Sequence, residues 1–200
     1  MSQVLERIES LAGGVYDLPV CWTITLLAAI RKTDDLDYLA LDRIERCIGA
    51  SDALEHRIGA FSLKAQALFM FNQLPAAVEA SQLALDCAMR RDDPDTLASC
   101  RVNVATYLAE LGDERMGPQA KELMAAVRDF RKDDLSQDQL DTLGLVEIVF
   151  AGTPEEVDHG LELCRKALEK DPTNPVAERY FDLRKLVAED KRVQIAARKS

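Results

Sequence analysis

The sequence predicts an all-α fold, an array of antiparallel helix pairs. Three observations carry that expectation. Apolar residues recur at three- and four-residue spacing rather than at two, so no segment reads as a strand. Gly and Pro are scarce, at 9 and 7 of 200 residues, which disfavours a loop-rich all-β chain. Small residues recur with a period near forty. Ala28, Ala65, Ala105 and Gly144 fall at intervals of 37, 40 and 39, and Ala40, Ala77, Ala120 and Gly160 at 37, 43 and 40.

The punctuation places the elements in order. A first helical stretch, roughly Gln3 to Ala12, is closed by Gly13-Gly14. Pro19 opens a second that runs to about Lys32. After the turn Thr33-Asp34-Asp35, Asp35 is placed to cap a helix ending at Gly49. Asp52-x-x-Glu55 has the capping-box form and precedes a periodic run to Phe71, with Ile58, Phe61, Ala65, Leu68 and Phe69 on one side. Pro75 sits in the first turn of the next helix, which reaches about Arg91. Asp93-Pro94 is a cap followed by Pro at the first helical position, and Gly112 stops that helix. Ser136-x-x-Gln139 is a second capping box, and Thr153-Pro154-Glu155-Glu156 and Asn174-Pro175 are further cap-plus-Pro starts.

The recurring small residues have a physical reason. Two antiparallel helices approach closely only where the side chain at the crossing is no larger than a methyl, with larger apolar residues filling the flanks. A mid-helix glycine such as Gly144 costs about 1 kcal/mol against alanine, which a backbone contact at the crossing would explain.

At this point the residues resemble a family. The stretch from Val157 through Gly160, Ala167-Leu168 and Asp171-Pro172 to Pro175 resembles the second helix and exit turn of a tetratricopeptide repeat. Leu143-Gly144 is similar to the Leu-Gly of the first helix, and Leu111-Gly112-Asp113 to the turn between helices. Ala65, Leu68, Ala77, Val78, Ala84 and Leu85 fit a further repeat. The signature Trp is missing, since Trp22 is the only tryptophan, and the period resembles that of long-helix bacterial members. The resemblance implies a right-handed α-solenoid over residues 1–200. Its parts would be an N-terminal cap over 1–18, helix pairs over 19–50, 52–92, 94–132 and 136–172, and a C-terminal capping helix over 174–200 with a basic end. The small positions carried over are Ala65, Ala77, Ala105, Ala120, Gly144, Gly160 and Ala167. Residues 181–200 hold six basic and three acidic side chains, read as a solvated helix end with cations placed well for the helix dipole.

Charge and composition bound the function. A net charge of −10 is the wrong sign for non-specific nucleic-acid binding. The longest uncharged run, Leu18 to Ile30, is too short and too polar to span a bilayer, and the N-terminus has no secretory pattern. Five dispersed cysteines without a C-x-x-C pair read as buried reduced thiols in a cytoplasmic protein. His56 and His159 lack metal-ligand spacing, and His159 and Cys164 are five apart on one helix, so neither a metal site nor a nucleophile–base pair is expected. The acidic clusters sit at helix boundaries and lack the glycine and glutamate of a calcium loop. No cofactor and no catalysis are expected.

The family resemblance implies a non-catalytic adaptor or scaffold that binds a protein segment in a concave groove. Positions carried over from the family are Ser62, Gln66 and Phe69 from one pair, Val102, Asn103, Thr106 and Ala109 from the next, and Asp138, Asp141, Thr142, Leu145 and Ile148 from the third. The clamp that some members use for a C-terminal carboxylate keeps only Asn103. A groove of Phe69, Val102 and Leu145 rimmed by Asp138 and Asp141 suits an apolar peptide with basic flanks. The alternative is a regulatory or self-associating domain dimerising through Trp22, Phe69 or Phe71, with an all-α enzyme third.

Overall fold

A computed structural model describes residues 18–31, 34–132 and 134–198. The expected first helix and its Gly13-Gly14 stop lie outside them, as do the side chains of Ala28 and Asp35. Among the described residues there are nine α-helices and no strand: α1 Leu18–Arg31, α2 Asp34–Gly49, α3 Leu54–Met70, α4 Leu74–Ala88, α5 Pro94–Leu111, α6 Gly117–Arg131, α7 Gln137–Val149, α8 Pro154–Lys170 and α9 Pro175–Ala197. A single 3-10 turn, Glu114–Met116, precedes α6. The contacts divide the chain into two compact units, Met1–Cys100 and Arg101–Ser200.

Most start signals act as the sequence indicates. Asp93 accepts from the Thr96 amide at 3.1 Å and from its hydroxyl at 2.7 Å. Ser136 and Gln139 form the full reciprocal box, with bonds of 3.3 and 2.9 Å. Thr153 accepts from the Glu156 amide, and Asn174 from the Val176 amide. Gly112 takes the left-handed conformation, φ 69°, that ends α5. The box expected at Asp52 does not form. Ala53 is the N-cap of α3 and no side chain caps it. Asp52 instead lies 3.9 Å from Arg57, and Glu55 3.5 Å from Arg91.

In the first unit α1 pairs with α2 and α3 with α4, and α3 also touches both α1 and α2. Cys21, Ile44, Cys47, Leu63 and Ala67 form its core, with Leu18, Trp22, Leu41, Ile48 and Phe71 packed around them. His56 Nε2 lies 2.7 Å from the carbonyl oxygen of Cys47, so this histidine satisfies a carbonyl near the end of α2. Ala40, Ala65 and Ala77 are fully buried.

In the second unit α7 and α8 form the tightest pair, and α9 packs against both. Its core gathers Ile148, Ala151, Val157, Cys164, Ala188 and Ile195. Gly144 of α7 and Gly160 of α8 meet backbone to backbone. A Cβ on Gly144 would lie 2.6 Å from the Gly160 carbonyl oxygen, and one on Gly160 would lie 2.8 Å from the Gly144 carbonyl oxygen. Ala105, Ala120 and Ala167 are also buried.

Gly160→Ala adds a methyl against a carbonyl and against Ile148. Its helix-propensity gain of about 1 kcal/mol is outweighed by overpacking. We expect a net loss of about 1–3 kcal/mol in urea denaturation. Gly49→Ala, whose Cβ meets nothing within 4 Å, is the control and should be neutral or slightly stabilising. Equal behaviour of the two variants would remove the close crossing as the reason for Gly160.

Candidate functional site

The residues expected to line the groove divide into free and consumed groups. On α3, Ser62 is half-buried, while Gln66 and Phe69 are exposed. In the second unit Asn103 and Asp138 are exposed. Val102, Ala109, Thr142, Leu145 and Ile148 are buried, so they offer a partner almost no surface. Thr106 spends its hydroxyl on the Val102 carbonyl at 2.9 Å and on Thr142 at 3.0 Å. The reason lies in α7, which carries eight buried residues on nearly all sides rather than along one stripe. The apolar lining expected at Val102, Leu145 and Ile148 is therefore interior. Trp22 and Phe71, expected as dimer surfaces, likewise pack on the core of the first unit.

Asp141 is not a groove rim. It binds Arg184 of α9, with Nη2 to Oδ2 at 2.8 Å and Nε to Oδ2 at 3.3 Å. Arg184 also reaches Glu110 of α5 at 3.3 Å and lies over the Tyr180 ring at 5.8 Å. Burial alone would disfavour the guanidinium charge, but the bonds and field of Asp141, joined by Glu110, more than offset it and raise its pKa. Beside this network Cys164 donates to the Asp141 carbonyl at 3.8 Å. Burial, reinforced by the Asp141 charge, pushes that thiol far above the usual range, so it is an inert core thiol. His159 points elsewhere, to Glu147, and forms no dyad with it.

Among the described residues of the basic end, Lys185, Arg192 and Arg198 are solvated as expected, but Arg184 and Lys191 are buried. Lys191 is buried and lies 3.7 Å from Glu114, which Arg198 also binds. Arg192 pairs with Asp158 of α8. The Arg198 hydrogen bond and charge, with Lys191 behind them, hold the Glu114 carboxyl below its ordinary value.

A cleft of about 530 Å³ lies between α6, α7 and α8 in the second unit. Ala125, Leu143 and Val146 form its apolar floor. Lys121 and Arg128 of α6 stand on one wall, and Glu147, Glu155, Glu156 and His159 of α7 and α8 on the other. Glu156 is held ionised chiefly by the Gly152 amide, 2.5 Å away, with Lys121 contributing charge. Lys121 also donates to the Phe150 carbonyl at 3.2 Å. The cleft thus combines an apolar lining with basic groups from α6 and with carboxylates and a histidine from α7 and α8. Sequence reading missed it because its walls come from helices whose relative placement no local pattern encodes.

No protein-family profile matches the chain, and no curated protein or solved structure is significantly similar to it. Among the described residues no three His, Cys, Asp or Glu side chains gather where a metal ion would be held, and no helix is long and apolar enough to cross a membrane.

Two outcomes are expected. Asp141→Ala strands a buried guanidinium and should cost about 3–5 kcal/mol in urea denaturation, whereas Asp141→Leu combined with Arg184→Met should recover most of that loss. A loss under 1 kcal/mol for the single variant would show that Arg184 finds water or Glu110 instead. Glu114 has a depressed folded pKa, so its hold on Arg198 and Lys191 is complete above the ordinary glutamate value of 4.5 and is lost as pH falls through the lower folded value. Amide NMR shifts of Lys191–Arg198 should move in that acid window. In Glu114→Gln they should be displaced at neutral pH already and show no such step.

Proposed function

We propose that this protein is a non-catalytic interaction module that docks an apolar protein segment with basic flanks, and that the segment seats in the α6–α7–α8 cleft. The supporting observation is the cleft itself: a slot of about 530 Å³ floored by Ala125, Leu143 and Val146. That volume falls in the range that holds a few side chains. Glu147 and Glu155 on one wall favour a basic flank of the segment, and Lys121 and Arg128 on the other orient it through an acidic group or its carboxyl end.

We further read each unit as a stretch of tetratricopeptide-like helix pairs. What supports this is the order of neighbours. In the first unit α1 to α4 each touch the next, in the second α6 to α9 do, and α1 with α3 and α7 with α9 touch across one helix, the pattern of stacked hairpins. The Gly144–Gly160 crossing occupies the family's small positions. In this reading α9 takes the place of a terminal helix that covers the last pair.

Panning a random peptide library against the full chain tests the docking. Selected peptides should share one or two large aliphatic residues beside Lys or Arg. Ala125→Trp, which fills the slot, should weaken them at least about tenfold without changing helical circular dichroism. Selection of nothing, or binding indifferent to Ala125→Trp and Glu147→Lys, would overturn the reading.

A further inference from the structure

The outer face of α9 carries a pattern that the fold of its own unit does not use. Val176, Arg179, Leu183, Leu186, Asp190 and Val193 follow one another at intervals of 3, 4, 3, 4 and 3 residues, the seam of a coiled coil. All six are exposed. The four apolar members are more than half so: Val176 54%, Leu183 52%, Leu186 62% and Val193 67%. The opposite side of the helix is the buried one, with Ala177, Arg184, Ala188, Lys191 and Ile195.

The seam is a palindrome. About a twofold axis between Arg184 and Lys185, Val176 faces Val193 of a second copy, Leu183 faces Leu186, and Arg179 faces Asp190. Every layer of an antiparallel pair is then complementary, two apolar layers and one ion pair, each occurring twice. A parallel pair would set Arg179 against Arg179 and Asp190 against Asp190 in the same seam, and like charges there cost heavily. The charged layer therefore selects both partner and direction.

We propose that α9 is a homodimerisation surface, and that two copies of this chain join through an antiparallel helix pair along Val176–Val193. The seam runs about 26 Å at the helical rise. Tyr180, Val187 and Gln194 flank one side. Asp182 and Glu189 flank the other and meet their acidic copies there, a like-charge edge that the Asp182–Lys185 pair at 2.6 Å offsets only in part and that weakens the dimer. A surface of this size gives a weak, reversible dimer. This surface is separate from the peptide cleft, so the two ideas fail independently.

Sedimentation equilibrium on the full chain tests the proposal. The wild type should dimerise reversibly below about 200 µM. Arg179→Asp and Asp190→Arg each place like charges in two layers and should raise the dimer dissociation constant at least about tenfold, while circular dichroism stays unchanged. Mixing the two single variants should restore association as a heterodimer, because Asp at 179 then faces Arg at 190. The double variant should dimerise like the wild type. A chain that is monomeric throughout this range overturns the proposal. So does a dimer that ignores both single swaps, or one that mixing fails to rescue.

Discussion

Where α7 crosses α8, the carbonyl oxygens of Gly144 and Gly160 occupy the space that side chains would need. The rest of the second unit depends on that approach. With the two backbones this close, Ile148, Val157 and Cys164 are drawn into one core rather than two. Cys164 Sγ would lie 2.5 Å from a Cβ on Gly144, so even the thiol is set by the crossing. The constraint is steric and short-ranged, and packed interiors relax little around it. Two glycines inside helices carry a propensity cost of about 1 kcal/mol each, which only a tertiary contact of this kind offsets.

A hairpin held this tightly presents a narrow ledge for the next helix, and α9 meets it with an unusual choice. Its contact face contains Arg184 and Lys191 among small residues. Burying a guanidinium is favourable only where its hydrogen bonds are met, and Asp141 and Glu110 meet them from two different helices. Such a network adds less to stability than well-packed apolar groups would, but it has one geometry. It ties α5, α7 and α9 into a single register that a purely apolar face would leave freer to slide.

This explains which parts of the fold were legible. Caps at Asp93, Ser136, Thr153 and Asn174 are local: the residue that signals the helix start is the residue that bonds its amides. Glycine and alanine at a crossing are nearly local, since their spacing repeats along the chain. Asp52 shows the limit even here, for a favourable spacing did not win against the geometry that makes Ala53 the cap. The groove residues failed for another reason. Leu145 and Ile148 sit on α7, which has neighbours on nearly every side, so helical periodicity could not say which of its faces stayed open. Arg184 was illegible altogether, because a charge near the end of a polar segment reads as solvated until a carboxylate 43 residues earlier in the chain is placed beside it.

The same charges decide what α9 shows to solvent. Arg184 and Lys191 are seven residues apart, two turns along one face, and both reach carboxylates on other elements of their unit. Two such anchors fix the helix's rotation about its own axis as well as its position. A rotation by one residue, about 100°, would break both and leave buried cations unpaired. With that rotation excluded, Val176, Leu183, Leu186 and Val193 have only one direction left, outward. Their exposure is a consequence of where the charges are buried. A sequence in which leucines face water because arginine and lysine face the core is locally inconsistent with a solitary folded unit. It becomes consistent once the outward stripe has a surface of its own to meet.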